Sequence, residues 1–190
     1  MDRNVLIPVV IVAIALIVMI LWLMQVRRRE RLKQRFGPEY ERAVTAHKDA
    51  RKAERELEAR EQRVAKLDIR PLGRDDAARF RESWRKAQAR FVDDPRAAVA
   101  DADGLVVEVM RARGYPLGDF EQRAADISVD HPQVVTNYRA ARGIAERSAR
   151  GQVNTEDLRQ AFVHYRELFA DLLEVHDEPV RTRTAGGGVR

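Results

Sequence analysis

The chain has no cysteine, and it lacks the short motifs that identify most catalytic and metal sites. A glycine-rich phosphate loop, a nucleophile elbow and a Cys/His pair are all absent. The metal-binding spacings H-E-x-x-H and E-x-x-H and the aspartate-glycine calcium loop are absent as well. The alternation of polar and apolar residues that is typical of strands occurs nowhere. These absences remove the sequence signatures of an enzyme, and the lack of cysteine agrees with a reducing compartment.

A long apolar run is present, from Val5 to Val26, and a basic collar follows it at once. A helix rises about 1.5 Å per residue, so this run would reach roughly 33 Å, and a bilayer core is about 30 Å thick. Residues 1–26 are therefore predicted to form the N-terminus and a transmembrane helix, and residues 27–36 a juxtamembrane collar. The collar residues expected at the membrane surface are Arg27, Arg28, Arg29, Arg31, Lys33 and Arg35.

The orientation of this helix is predicted from the charges on either side of it. One basic residue precedes the run and six closely follow it, and basic residues favour the cytoplasmic side. The N-terminus is expected outside the cell membrane and the C-terminal domain in the cytoplasm. A cleaved signal peptide is the alternative. It is disfavoured because the run exceeds the usual apolar core of about 7 to 15 residues and no A-x-A-like site precedes the arginines.

The charge balance outside the collar argues against nucleic-acid binding. The net charge is +5, yet residues 36–190 carry 28 basic and 28 acidic side chains and are neutral. A phosphate-binding domain needs a positive face, so no nucleic-acid partner is predicted. The lipid bilayer is the partner expected for the collar, whose charge is interpreted as fixing topology rather than as recognising a particular lipid.

Pro38 follows a glycine just after the collar, and this pair predicts the start of a new helix. A heptad seam runs from Ala43 to Leu67 between charged faces, so residues 37–68 are predicted to form a charged helical stalk. Alanine fills four successive seam positions and Arg60 another, which leaves little apolar area for a dimer. A single helix that lies against the globular part or acts as a spacer is favoured. A weak homodimer through the stalk is the alternative.

A domain boundary is predicted in the stretch from Asp68 to Gly73, where Pro71 and Gly73 break the helical pattern. Residues 69–175 show apolar stripes at helical spacing and are predicted to form a small helical bundle, whose last helix is expected to begin near Asn154 or Thr155. Residues 176–190 have too little apolar content for a core and are predicted to be a disordered tail. The expected fold is all-α, with an N-terminal transmembrane helix, a charged helical stalk and a small C-terminal bundle.

The most distinctive stretch is RGYPLGDFEQRAADISVDHPQVVTNY, at residues 113–138. Asp119 with Gln122, and Asp130 with Gln133, match a capping box and predict two helix starts. This stretch and the downstream TEDLRQAFVHYRELF resemble a recurrent group of uncharacterised bacterial single-pass membrane proteins with a helical C-terminal domain. The resemblance implies a bacterial origin and that architecture, and it implies no activity, ligand or catalytic residue.

Polar residues in this stretch form a candidate ligand site. Paired carboxylates near an imidazole can bind metal or exchange protons, and the candidates are Glu121, Arg123, Asp126, His131 and Tyr138. No catalytic residue, metal or cofactor is predicted, because helix capping already accounts for the neighbouring aspartates. The favoured function is a non-enzymatic tether or protein-interaction module at the cytoplasmic membrane face, with a protein partner. The alternative is a membrane-anchored enzyme or a small-ligand or metal receptor, which requires the five side chains to converge in a pocket.

Overall fold

The computed structural model describes the backbone of residues 3–173 and the side chains of residues 12–173. Within them the chain forms eight helices and no strand, which confirms the all-α prediction. The tail predicted at 176–190 lies outside the described residues. In chain order the helices are α1 (Arg3–Phe36), α2 (Pro38–His47), α3 (Ala50–Val64), α4 (Arg74–Arg90), α5 (Pro95–Arg113), α6 (Phe120–Asp130), α7 (Pro132–Ala149) and α8 (Thr155–Leu172).

Helix α1 carries the apolar run and the collar without a break. Over residues 12–26 its large apolar side chains are 40 to 64% exposed, on every face of the helix. The side chains of residues 5–11, the first part of the predicted transmembrane run, lie outside the described residues. Judged on the described residues, none of the helices has both the length and the apolar content that crossing a bilayer requires.

The segment predicted as a stalk is two helices rather than one. Lys48 adopts a left-handed backbone conformation, with a φ of 54°, and ends α2. Asp49 then caps α3 by accepting hydrogen bonds from the backbone N–H groups of Arg51 and Lys52. The prediction of one continuous seam helix over residues 43–67 is therefore wrong. The seam spacing continues across the break, so only the capping aspartate marks the new helix start in the sequence.

Most seam residues of α2 and α3 are buried inside the chain, where they help to form a second, smaller core, whereas Ala46 is exposed. This core joins the collar end of α1 to the α2–α3 hairpin and to α6. The hairpin thus lies against the body, and the buried part of its seam is covered by the chain itself. The buried members are Leu32, Phe36, Tyr40, Ala43, Ala53, Leu57, Val64 and Val129.

Helices α4 to α8 build the main core. Aromatic rings meet in it: the Trp84 ring centroid lies 4.6 Å from that of Phe169 and 4.9 Å from that of Phe162. Helix α8 begins at the predicted place, because the Asn154 side chain accepts from the backbone N–H of Asp157 and the Asp157 carboxylate returns the bond. Helices α6 and α7 lie between the main core and the second core. The segment that carries the candidate residues is therefore the one where the hairpin meets the bundle.

Candidate functional site

The five candidate residues lie on α6, on α7 and in the junction between them, and their side chains enter three separate sets of contacts. One set connects α6 to the α2–α3 hairpin and to α7, the second lies inside the main core, and the third connects the α6–α7 junction to α5 and α8.

Asp126 connects α6 to α3. Its side chain is fully buried, and its Oδ1 atom accepts hydrogen bonds from Arg63 at 2.9 and 2.6 Å and from Gln122 at 2.9 Å. Its other oxygen, Oδ2, is buried with no hydrogen-bond donor among the described residues. A buried carboxylate is stable only when it is paired, so Arg63 holds the charge of Asp126 and thereby fixes the hairpin to the bundle.

Glu121 belongs to a separate ion network between the hairpin and α7. Its exposed carboxylate lies 2.6 Å from Arg139 on α7 and 3.6 Å from Arg42 on α2. Arg139 also binds Glu39, whose side chain is only 2% exposed, at 3.2 Å, and Arg60 lies 3.5 Å from the same glutamate. The network therefore joins α2, α3, α6 and α7 around the buried charge of Glu39. Sequence reasoning missed Glu39, because it and Arg139 are 100 residues apart.

Arg123 and Tyr138 form the second set of contacts. The Arg123 guanidinium donates to the Tyr138 hydroxyl at 3.3 Å and to the carbonyl oxygen of Gly118 at 2.7 Å. The Tyr138 ring is fully buried, 4.8 Å from Phe120 and 6.2 Å from Tyr165 between centroids. Burial raises the pKa of Tyr138 above its ordinary value, against the opposing hydrogen bond from Arg123. This tyrosine is a core residue with a satisfied hydroxyl.

His131 forms the third set. Its Nε2 lies 3.3 Å from Arg113, and since arginine can only donate, Nε2 accepts that bond. Its Nδ1 lies 2.5 Å from Asp171 on α8 and carries the proton toward that carboxylate. His131 thus holds α8 and the end of α5 to the α6–α7 junction. Both ring nitrogens are occupied by protein partners.

The two predicted helix starts in this stretch have different outcomes. Asp119 caps α6 as predicted, accepting from the backbone N–H of Gln122 at 2.8 Å. The prediction for Asp130 is wrong: it is the last residue of α6, and α7 begins after His131 with Pro132 in its first turn. The Asp130 carboxylate instead accepts a hydrogen bond from the Tyr115 hydroxyl at 3.4 Å. A proline at the first helical position replaces the side-chain cap there.

Two surface cavities border these contacts, and they hold different candidates. One, of about 390 Å³ between α2, α3 and α6, is lined by Glu121 together with arginines of the ion network. The other, of about 470 Å³ beside the collar, is lined by His131 together with Arg35 and Glu61. No group of three or more side chains able to hold a metal ion occurs among the described residues. The geometry is that of helix-to-helix ion pairs rather than of a shared reaction site.

The collar is bound to the body by a series of ion pairs. Arg28 pairs with Glu58, Arg31 lies 3.1 Å from Glu61, and Arg35 also lies 3.1 Å from Glu61. Both glutamates lie on α3. Three of the six collar cations are therefore engaged by acidic residues of the hairpin.

A fourth collar residue, Arg29, reaches the same hairpin through a tyrosine. The Arg29 guanidinium donates to the Tyr40 hydroxyl at 3.2 Å, and that hydroxyl donates to Glu54 at 3.1 Å. The Lys33 amine lies over the same ring, 5.6 Å from its centroid. Burial raises the pKa of Tyr40, so the hydroxyl stays protonated and able to donate at neutral pH.

Comparison with known proteins gives no relative for this chain. No family model matches it, and neither the curated proteins nor the solved structures contain a significant match. The resemblance of residues 113–138 to bacterial membrane proteins therefore stays a prediction.

Proposed function

We propose that the protein is a single-pass, membrane-anchored helical protein whose bundle acts as a non-enzymatic tether for another protein at the cytoplasmic membrane face. The observation that carries the proposal is the exposure of the apolar side chains of α1, none of which belongs to either core over residues 12–26. Of the fourteen large apolar side chains that are exposed among the described residues, twelve belong to residues 12–26. So large an apolar surface is unfavourable in water and calls for an apolar environment.

The distribution of these side chains around α1 favours a spanning helix over a helix that lies on the membrane surface. A surface helix keeps a polar face toward water, whereas residues 12–24 contain no polar or charged side chain. Together with residues 5–11, which are apolar in the sequence, the run reaches the roughly 20 residues that a span needs. Trp22, just before the collar, is typical of the interface between bilayer and water.

The proposed orientation follows from the collar, since basic residues next to a span favour the cytoplasmic side. The body would then lie in the cytoplasm next to the cell membrane. Confinement to the bilayer raises the effective concentration of the bundle for partners in the same membrane, with no bond-making step. The separation of the five candidate residues into three sets of structural contacts supports a tether over an enzyme or receptor.

Membrane anchoring is tested by expressing the full chain in bacteria and extracting the membranes with alkaline carbonate. We expect the wild-type protein in the membrane pellet. Ile17→Arg with Leu21→Arg should release it, because each arginine at the centre of a span costs about 2.5 to 3.5 kcal/mol of insertion. The matched control is Val92→Arg with Leu117→Arg, exposed apolar residues outside α1, and it should stay in the pellet. Wild-type protein in the soluble fraction would contradict the anchor.

The tether is tested by cross-linking in the native membrane followed by affinity capture. A specific protein captured by the wild type, and also by a variant carrying Asp126→Ala and His131→Ala, would support a tether in which these residues are structural. A metal or metabolite that co-purifies with the wild type and is lost in that variant would instead favour the receptor or enzyme. The anchor-disrupted variant should capture less of the protein partner, because it loses the confinement to the membrane.

A further inference from the structure

The turn between α2 and α3 carries a cluster of cations. Lys48 ends α2, and Arg51, Lys52 and Arg55 lie on the outer face of α3. All four side chains are exposed, and within the described part of the chain none of them makes an ion pair. The neighbouring acid, Asp49, is occupied in capping α3. We call these four residues, Lys48, Arg51, Lys52 and Arg55, the basic turn.

The ion pairs between α1 and α3 show which way the basic turn faces. Arg28 pairs with Glu58, whereas Arg35, farther along α1, pairs with Glu61, farther along α3. The two helices therefore run in the same direction, and the start of α3 lies on the side of these pairs toward the apolar segment. Arg51 precedes Glu58 by seven residues, about 10 Å of helix. The basic turn is thus held on the side of the body from which the apolar segment emerges.

Because of these ion pairs, the cations of the collar and those of the basic turn differ in whether they are free to contact a membrane surface. Arg28, Arg31 and Arg35 in the collar are engaged by acidic groups of the body. The basic turn has no such partners and faces the same direction. Each Lys or Arg near an anionic bilayer contributes about 1 kcal/mol of attraction, so four unpaired cations form a substantial contact surface.

We propose that the basic turn docks onto the headgroups of anionic phospholipids in the leaflet where α1 emerges, so that the body is held against the membrane at a second point. This inference rests on the proposed membrane anchor. It assigns lipid contact to the hairpin, a segment that the sequence pattern predicted only to be a charged helical stalk. The combination of one apolar anchor and one basic patch gives stable attachment in a defined orientation.

The test uses the absence of cysteine, because one introduced cysteine gives a unique labelling site. A fluorophore is attached at Thr45→Cys beside the basic turn, or at Val92→Cys in the turn between α4 and α5 as the reference position. The full chain is reconstituted into vesicles of phosphatidylcholine, with or without phosphatidylserine, that carry a headgroup-linked energy acceptor. Flotation of the same samples reports whether the protein is inserted.

We expect strong energy transfer from position 45 in phosphatidylserine vesicles, weak transfer in phosphatidylcholine alone, and weak transfer from position 92 in both. Molar salt should abolish the difference, because the Debye length falls to about 3 Å.

Removing one cation should weaken docking about fivefold, the equivalent of about 1 kcal/mol. A variant with glutamate at three positions of the turn should lose the transfer (Lys48→Glu, Arg51→Glu, Lys52→Glu). A matched variant on α4 and α5 should keep it (Lys86→Glu, Arg96→Glu, Arg111→Glu).

The outcomes separate this inference from the anchor on which it rests. Inserted protein with equal transfer from positions 45 and 92, or with transfer indifferent to phosphatidylserine, would overturn docking and leave the anchor standing. Protein that fails to float with either vesicle would overturn both. Single-residue Lys52→Gln keeps the test valid if the triple variant misfolds, because it should lower the transfer without altering the circular dichroism spectrum.

Discussion

Replacing Glu39 with alanine should destabilise the fold by about 3 kcal/mol. The substitution would leave Arg60 and Arg139, whose side chains are 9% and 12% exposed, without the carboxylate that lies between them. Breaking a buried ion pair from one side costs about 3 to 5 kcal/mol. We expect the lower end because Arg139 keeps Glu121 and Arg60 keeps Glu56. For a chain of this length, about 3 kcal/mol corresponds to a Tm lower by roughly 6 to 12 °C.

The matched control for this substitution is Glu121→Ala. It removes a second carboxylate from the same Arg139, but the Glu121 side chain is 66% exposed and Glu39 only 2%. An exposed ion pair contributes about 0 to 1 kcal/mol, so Glu121→Ala should leave the Tm nearly unchanged. Both variants are measured as full chains in the same detergent by circular dichroism at 222 nm. Equal Tm values for the two variants would refute the argument that burial makes Glu39 the structural charge.

Three further predictions concern the main core. Trp84→Ala should cost about 3 to 5 kcal/mol of unfolding free energy, measured by urea denaturation, because the ring is buried in an aromatic cluster; a loss below about 1 kcal/mol would contradict that packing. Asn154→Ala should cost about 0.5 to 2 kcal/mol by the same measurement, since it removes the cap of α8, and an unchanged midpoint would count against the cap. Burial raises the pKa of three tyrosines of the main core above 10 (Tyr115, Tyr138, Tyr165). Their contribution to stability is therefore complete below pH 10 and is lost as the pH rises above it. An unfolding free energy that stays constant from pH 9 to 11 would disprove this.

Local signals in the sequence predict the helices well. The start of α2 at Pro38 and the capped starts of α6 at Asp119 and α8 at Asn154 are confirmed, because each depends on residues within one helical turn. The break at Lys48 was missed, since a heptad count continues through a turn this short. The periodic pattern gives the period of a helix and carries little information on where one helix stops and the next begins.

The candidate site shows why neighbours in sequence need not meet in space. Glu121 and Arg123 are two residues apart on α6, a rotation of roughly 200°, so their side chains leave the helix on opposite sides. One reaches the hairpin and the other reaches the core of the bundle. The buried carboxylate of Glu39 is paired with Arg139, which lies 100 residues away in the sequence. No spacing rule connects residues at that separation.

The continuity of α1 has a mechanical consequence. The helix runs without interruption from Arg3 to Phe36, and its last turn is clamped by the buried side chains of Leu32 and Phe36. The apolar segment and the body are therefore joined by one continuous helix, so a rotation of the segment about the helix axis rotates the body by the same angle. Each residue inserted after Val26 would turn the body by about 100° and displace it by about 1.5 Å along that axis. A protein that binds one side of the apolar segment therefore also determines which side of the bundle faces that protein.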